Sequence, residues 1–191
     1  MAQNLPETLN YQERELLLSQ PNQKAPTGLR DLAMIRLMIN AGLRSCEVLK
    51  MFIEDIDWIS GKLHIKQGKG KKDRIIWVNE EDLNVIKKWK EIKPKSPVLF
   101  TTLKGGCIND RYLRAMVKRR AQNAGITKNV HPHLLRHTFA TDLLRSTKNI
   151  RLVQKALGHA NLSSTMIYTH VYDEELESAL KSFRNSNYRG S

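Results

Sequence analysis

Hydrophobic residues recur every three or four positions along most of the chain, which is the spacing of amphipathic α-helices. The first two helical patterns run over residues 10–19 and from about Thr27 to Ala41. The second is apolar on nearly every side, so we expect a core helix with Thr27 as its N-cap and Gly42 as its end. Further helices are predicted over about 44–51, 80–91, 108–124, 133–147, 150–157, 162–169 and 173–184.

Three short runs of β-type residues interrupt the helical pattern, at 56–59, 62–65 and 75–78. Ser60 and Gly61 form a predicted tight turn between the first two runs. Residues 68–73 (GKGKKD) form a predicted exposed, basic hairpin tip between the second and the third. The sequence therefore predicts a mainly α fold with a small three-stranded antiparallel β-sheet (α+β). We expect a single domain over residues 1–191, with an ordered core of about 9–184.

The charge balance narrows the class of partner. Lys and Arg number 32 against 19 Asp and Glu, which gives a net charge of +13. Such an excess suits a polyanion, either nucleic acid or an anionic membrane surface, and nucleic acid is the simpler reading. No run approaches the roughly 20 apolar residues of a membrane span, and the first residues lack the pattern of a secretory signal peptide. We therefore expect a soluble, cytoplasmic protein.

The two cysteines, Cys46 and Cys107, are far apart and fit no metal-ligand spacing. We expect both to be reduced, as is usual inside cells. Cys46 lies among apolar neighbours in the sequence, which predicts a small buried side chain.

Two segments in the first half of the chain carry candidate site residues. Arg44 and Glu47 are three positions apart on a predicted helix, so the carboxylate is placed to orient the guanidinium. Taken alone, this pair is also typical of a surface ion pair. The basic tip ends in Arg74, and its glycines allow a lysine to approach a ligand closely. The tip lacks the G-x-x-x-x-G-K-[ST] pattern of a nucleotide P-loop, and taken alone it is also typical of a solvated charge run.

A third segment, His131 to His137, predicts an anion site at a helix start. Pro132 suits the first turn of a helix, and His133, Arg136 and His137 then share one face. Imidazoles, a guanidinium and free N–H groups at a helix N-terminus favour an anion. The spacing of His133 and His137 also suits zinc, but the glutamate of H-E-x-x-H is missing and an arginine beside a cation is unfavourable. We therefore predict no metal ligands.

In order along the chain, these segments and two later ones resemble the tyrosine recombinase (phage integrase) family. The motifs are G-L-R-x-x-E at 42–47, G-K-G-x-K-x-R at 68–74, H-x-L-R-H at 133–137, L-G-H at 157–159 and Y-T-H at 168–170. One such motif is weak evidence, because a tyrosine such as Tyr168 more often packs in a helix than reacts. Five in the family order are strong evidence, and the resemblance extends over about residues 9–183.

The resemblance implies an enzyme that cleaves and rejoins DNA strands through a 3′-phosphotyrosine, without metal, ATP or another cofactor. It implies that Tyr168 is the nucleophile and that Arg44 and Arg136 bind the scissile phosphate. Lys69 is then the general acid for the leaving 5′-oxygen, with Lys71 or Lys72 as alternatives. Two histidines complete the implied catalytic set. His133 is the acid/base residue, and His159 forms a hydrogen bond to the phosphate. Glu47 supports the first arginine, and the expected DNA contacts are Lys71, Lys72, Arg74 and His137.

The physical demands of this reaction fit the implied residues. A phenol has a pKa of about 10, so ionising it at neutral pH costs roughly 4 kcal/mol. Two arginines lower that cost and stabilise charge on the phosphorane. Arginine suits this task because its planar fork matches two phosphate oxygens and stays protonated. The pKa of a lysine falls beside other cations, which suits proton donation.

The resemblance also implies double-stranded DNA as partner and a homotetramer on that DNA. A predicted helix at 173–184 either docks on a neighbouring protomer or packs on its own core. Family members usually carry an N-terminal helical DNA-binding domain, which we expect to be absent from this chain. The biological context is integration or recombination of a phage or mobile element, with dimer resolution and inversion left open.

Three other functions are compatible with parts of the pattern. A catalytically silent DNA-binding module of the same fold would bind DNA without a covalent adduct. A metal-dependent hydrolase would use His131, His133 and His137. A type IB topoisomerase shares the chemistry, but the short chain and the G-K-G-x-K-x-R tip match a recombinase better.

Overall fold

The structure, a computed structural model, describes residues 7–66 and 73–158. Helices dominate this part of the chain, together with one 3₁₀ turn at Ile53–Asp55. The helices are α1 (Tyr11–Ser19), α2 (Pro26–Asn40), α3 (Ser45–Leu49), α4 (Glu80–Ile92), α5 (Asp110–Asn123), α6 (Pro132–Thr147) and α7 (Ile150–Leu157). The strands are β1 (Lys62–Ile65) and β2 (Arg74–Trp77). The predicted helices at 162–169 and 173–184 lie outside the described residues.

Helix α2 is the centre of the core, as its apolar sequence predicted. Its residues from Leu32 to Leu37 are buried, and α1, α3, α4, α5 and α6 all pack against it. The prediction that Thr27 caps this helix was wrong. Ala25 is the N-cap and Pro26 opens the helix, because proline fixes φ near the helical value and lacks only an N–H that would be unpaired there.

Buried ion pairs attach α2 to its neighbours at two points along its length. Asp31 receives two hydrogen bonds from Arg120 of α5, from Nη2 at 2.6 Å and Nε at 3.1 Å. Arg36 lies 2.7 Å from Asp82 of α4. Burying a charged side chain costs free energy of desolvation, and a partner of opposite charge offsets that cost. The pairs therefore fix how α4 and α5 lie on the central helix.

Among the described residues, the small sheet has two strands rather than the three predicted. β1 and β2 are antiparallel, with Ile65 opposite Arg74. The third run, at 56–59, contributes only an isolated bridge between Ile56 and Leu63. Residues 56–59 do not form a longer strand because the Asp57 carboxylate accepts hydrogen bonds from the backbone N–H groups of Ile59 and Ser60, at 2.9 and 3.2 Å. An aspartate that bonds its own following backbone favours a turn over a strand. The mainly α fold with a small antiparallel sheet is otherwise as predicted.

Helix α7 forms a second, smaller hydrophobic cluster with α6. Its buried members are Ala140, Leu144, Val153 and Leu157. The helix also contacts β2, so its C-terminal end lies beside the sheet. Gly158 follows in the left-handed conformation, with φ of +63°.

Both cysteines are free thiols, and both are exposed. The prediction that Cys46 is buried was wrong. α3 presents Val48 to the core, and Cys46, two positions earlier, lies on a different side of this short helix.

Among residues 7–66 and 73–158, no helix combines the length and the apolar character needed to cross a bilayer.

Candidate active site

Glu47 is the centre of the candidate site. Arg44 is the N-cap of α3, and Glu47 is the third residue of that helix. One carboxylate oxygen, Oε2, accepts from the Arg44 backbone N–H at 2.8 Å, and the other, Oε1, accepts from Arg44 Nη1 at 2.8 Å. The contact expected from the i, i+3 spacing is therefore present. It holds the Arg44 side chain against the start of α3.

Arg74, at the start of β2, reaches the same carboxylate. Its Nη1 and Nη2 donate to the two oxygens of Glu47 at 2.7 and 2.8 Å. Its Nε donates to the carbonyl oxygen of Ala156 at 2.7 Å, and the residue is 7% exposed. From its place at the end of the basic tip, Arg74 was expected to contact DNA. The structure instead turns it inward, because its place opposite Ile65 puts it on the buried face of the sheet.

Arg136, in the second turn of α6, joins three elements. Its Nη1 donates to the carbonyl oxygen of Gly42, just after α2, and lies 3.9 Å from Glu47 Oε2. Its Nη2 donates to the carbonyl oxygen of Leu157, at the end of α7, at 2.7 Å. The residue is 6% exposed. Helix-end carbonyls lack intrahelical partners, so a guanidinium can hold them without breaking the helix.

Three arginines therefore surround one carboxylate. Burial would raise the pKa of Glu47, but the hydrogen bonds and charge of Arg74, the Arg44 backbone N–H and the charge of Arg136 together lower it from 4.5 to about 2. Glu47 is thus ionised at neutral pH and balances one of the three positive charges. The excess of positive charge favours a bound anion. Arg44 is the most accessible of the three, with 28% of its side chain exposed against 5% and 7% for Arg74 and Arg136.

The histidines of the third segment lie at the N-terminus of α6. His131 is the N-cap, and its Nδ1 accepts from the Leu134 N–H at 3.3 Å. His133 is exposed, with its ring 6.4 Å from that of His131. His137 is half-buried, and burial followed by the charges of His133, Arg136 and His131 lowers its pKa below the usual range. His133 therefore faces solvent beside Arg136, whereas His137 lies deeper.

Sequence reasoning missed a carboxylate near these residues. Asp110, the first residue of α5, accepts from Arg114 Nε at 2.6 Å. The pKa of Asp110 is lowered mainly by a hydrogen bond that its carboxylate accepts from Ser45, the residue after Arg44. The nearby charge of His133 lowers this pKa further. The only sequence signal was an Asn-Asp pair typical of a helix start. Nothing in it indicated that α5 begins beside α3.

Helix α5 also carries an exposed basic stripe, which the sequence analysis did not single out. The stripe consists of three residues spaced by three and four positions: Arg111, Arg114 and Lys118. This spacing places all three on one face of the helix. Because α5 begins beside Ser45 and contacts α3, the stripe leads away from the candidate site.

Five of the predicted site residues lie outside the described part of the chain: Lys69, Lys71, Lys72, His159 and Tyr168. Within residues 7–66 and 73–158, no three His, Cys, Asp or Glu side chains come together as a metal-binding group.

Similarity to known proteins identifies the family. The profile of the phage integrase family matches residues 7–175, which is most of the chain. The chain belongs to the phage integrase family. Tyrosine recombinase XerC of Actinobacillus pleuropneumoniae serotype 7 is 33% identical over 174 residues, covering 89% of this chain and 56% of that protein. Tyrosine recombinase XerD of Listeria innocua serovar 6a is 36% identical over 190 residues, covering 95% and 64%.

Solved structures of the phage integrase family share this fold. The XerA recombinase matches with a TM-score of 0.82 and 30% identity, over 95% of this chain and 66% of its own. XerH, in a post-cleavage complex with its palindromic difH substrate, matches with a TM-score of 0.79 and 34% identity, over 95% and 54%. The catalytic domain of bacteriophage HP1 integrase matches in fold alone, with a TM-score of 0.62 and 24% identity, over 91% of this chain and 93% of its own. The chain spans between about half and two thirds of the length of the curated relatives named above.

Proposed function

We propose that this chain is the catalytic domain of a tyrosine recombinase, which cleaves and rejoins DNA through a 3′-phosphotyrosine. The observation that carries the proposal is the Glu47 cluster, defined as Glu47 with Arg44, Arg74 and Arg136. It brings together the two arginines that the family resemblance assigns to the phosphate, from α3 and α6, around one ionised carboxylate. The relatives named as tyrosine recombinases support it.

In the proposed reaction, the phenolic oxygen of Tyr168 attacks the phosphorus. An Oη–P bond forms and the bond from phosphorus to the 5′-oxygen breaks. The phenol loses its proton, with His133 as the proposed acceptor, and the leaving 5′-oxygen gains one from Lys69. His159 donates a hydrogen bond to the phosphate. Attack by a 5′-hydroxyl from a partner strand reverses the step, so the number of P–O bonds is conserved and no ATP is consumed.

The arginines of the Glu47 cluster have a clear electrostatic role in this reaction. The phosphorane carries more negative charge than the starting phosphodiester, and fixed cations at that position lower the barrier. Arg136 is held by two backbone carbonyls and Arg44 by Glu47. Both guanidiniums are therefore oriented before the substrate arrives, so little reorganisation is needed during the reaction.

We propose double-stranded DNA as the partner. The net charge of +13, the exposed basic stripe of α5 and the complex of XerH with its difH substrate support it. We further propose a homotetramer on DNA in which the predicted helix at 173–184 is exchanged between protomers. The support for the exchange is its sequence, which places Leu176, Ala179, Leu180 and Phe183 along one side.

The proposal is tested by trapping the covalent intermediate. The chain is mixed with nicked duplexes from which the cleaved end diffuses away, in the presence of EDTA, and the products are separated on a denaturing gel. We expect a protein–DNA adduct with the native chain and none with Tyr168→Phe. Strand cleavage that leaves no adduct and stops in EDTA would favour the metal-dependent hydrolase. Salt-sensitive DNA binding with neither cleavage nor adduct would favour the silent DNA-binding module.

A further inference from the structure

Arg74 has a geometry that the proposed reaction does not yet explain. Its guanidinium makes three hydrogen bonds to the protein, two to Glu47 and one to the carbonyl oxygen of Ala156. With 5% of its side chain exposed, it is not placed to contact a substrate. Yet it begins the strand that follows the basic tip, and its partners lie in α3 and α7.

We propose that Arg74 is a positioning residue for strand cleavage, which acts by fixing Glu47 and the end of α7 around the scissile phosphate. The inference rests on the proposed function, because it assigns Arg74 a role in that reaction. It differs from the DNA contact expected from the sequence, since Arg74 acts through other residues.

Arg74 and Arg44 share one oxygen of Glu47, which links the orientation of Arg44 to Arg74. A bidentate pair fixes the plane of a carboxylate, which a single hydrogen bond does not. Glu47 Oε1 receives Arg74 Nη1 at 2.7 Å and Arg44 Nη1 at 2.8 Å. Because the same oxygen serves both arginines, the direction in which Arg44 points depends on the plane that Arg74 imposes.

Arg74 also supports the negative charge of Glu47 through its two hydrogen bonds to the carboxylate. Burial raises the pKa of Glu47, and the hydrogen bonds from Arg74 are the largest of the effects that lower it. Without Arg74, the carboxylate would more readily take up a proton or turn away. Arg44 would then lose its anionic partner, although it would keep its own charge.

Arg74 also holds the C-terminal end of α7. Two successive carbonyl oxygens in its last turn are held by two different arginines, Ala156 by Arg74 at 2.7 Å and Leu157 by Arg136 at 2.7 Å. Arg74 therefore ties the end of α7 to the same carboxylate that contacts Arg44 and Arg136. This connection fixes the point at which the chain leaves α7, two residues before His159 in the sequence.

A purely structural ion pair is the alternative, and Arg120 provides a matched control. Its Nε and Nη2 donate to the buried Asp31, and its Nη1 donates to Gln20 at 3.3 Å. Arg120 is thus also an arginine bound to a buried carboxylate, but Asp31 lies near the opposite end of α2 from Gly42. Lysine at position 74 keeps the charge but cannot span the two oxygens of Glu47. Lysine at position 120 likewise keeps the charge but cannot repeat the two guanidinium hydrogen bonds to Oδ2 of Asp31.

The first experiment measures side-chain order without DNA. The Nε–Hε signal of Arg44 is assigned by its loss in Arg44→Lys, and its heteronuclear NOE is compared in the native chain, Arg74→Lys and Arg120→Lys. We expect the NOE to fall in Arg74→Lys to the value of an exposed arginine such as Arg111, and to stay at the native value in Arg120→Lys. An unchanged NOE in a folded Arg74→Lys would overturn the proposal.

The second experiment measures adduct formation on two nicked duplexes, one with a normal phosphate at the cut and one with a neutral methylphosphonate. We expect Arg74→Lys to slow the reaction on the charged phosphate by roughly 10- to 100-fold, as misplacement of a catalytic group does. The defect should shrink on the neutral phosphate, which needs less charge compensation. Arg120→Lys should form adduct at the native rate on both.

The outcomes separate this inference from the proposed function. If the native chain forms no adduct on any duplex, the proposed function is in doubt, and the NOE of Arg44 still decides whether Arg74 orients it. If the native chain forms adduct and Arg74→Lys equals it, the inference is wrong and the proposed function stands. An equal defect on both phosphates would assign Arg74 to stability alone.

Discussion

Arg136 Nη1 lies 3.9 Å from Glu47 Oε2, which joins the second turn of α6 to the first turn of α3. The same carboxylate bonds Arg44 at 2.8 Å. One buried anion therefore sets the relative position of the two arginines that the proposed reaction places on the phosphate. Its removal should affect both stability and chemistry.

Glu47→Gln tests the contribution of this carboxylate to stability. The pKa of Glu47 is lowered from 4.5 to about 2, so its contribution is present above about pH 4.5 and is lost as the pH falls toward 2. This difference corresponds to about 3 kcal/mol. We expect Glu47→Gln to reduce the free energy of unfolding in urea by about that amount at neutral pH. The native chain should lose the same amount on acidification, and the variant should not.

Glu54→Gln is the matched control for this prediction. Glu54 is 77% exposed and lies 3.4 Å from Lys66, and exposed ion pairs contribute only about 0–1 kcal/mol. If both variants lose stability equally, or if Glu47→Gln keeps the native acid dependence, the assignment of Glu47 as the ionised centre is wrong.

Gly42→Ala tests the turn that presents a carbonyl to Arg136. Gly42 has φ of +63°, and an added Cβ would lie 2.3 Å from Phe139 Cδ1. The left-handed backbone and the collision together should cost about 2–4 kcal/mol, measured by urea unfolding. Gly125→Ala is the control, since its φ is +75° but nothing lies within 4 Å of the added Cβ. Equal losses in the two variants would mean that Phe139 moves away freely.

The basic stripe of α5 is tested through the salt dependence of DNA binding. Each phosphate contact that is lost should reduce the slope of log K against log salt by about 1. We expect this change for Arg111→Ala and for Lys118→Ala, measured by fluorescence anisotropy with a labelled duplex. Lys88→Ala, an exposed lysine of α4, should leave the slope unchanged. Unchanged slopes in both stripe variants would place the DNA elsewhere.

α4 was predictable because its apolar residues repeat at a helical spacing. The core role of α2 followed from its apolar character on nearly every side, although the sequence did not indicate its first residue. The motif residues Arg44, Glu47 and Arg136 were also found, and the structure brings them together. Their meeting could not be derived from local spacing, because it depends on how α6 packs on α2.

Three local errors have a common physical origin. Arg74 was expected to contact DNA because it ends the basic tip, but it pairs with Glu47, which is far from it in the sequence. The run at 56–59 was expected to be a strand, but the side chain of Asp57 bonds the following turn. Cys46 was expected to be buried, but its side of α3 faces solvent. In each case a contact or packing direction that the sequence does not display overrode the local pattern.

The central claim is that Tyr168 becomes covalently linked to DNA. The most direct measurement is mass spectrometry of the trapped adduct after digestion with a protease and a nuclease. We expect a nucleotide remnant linked through its 3′-phosphate to the peptide that contains Tyr168, with the 5′-hydroxyl on the released strand. A remnant on another residue, or a linkage through a 5′-phosphate, would contradict it.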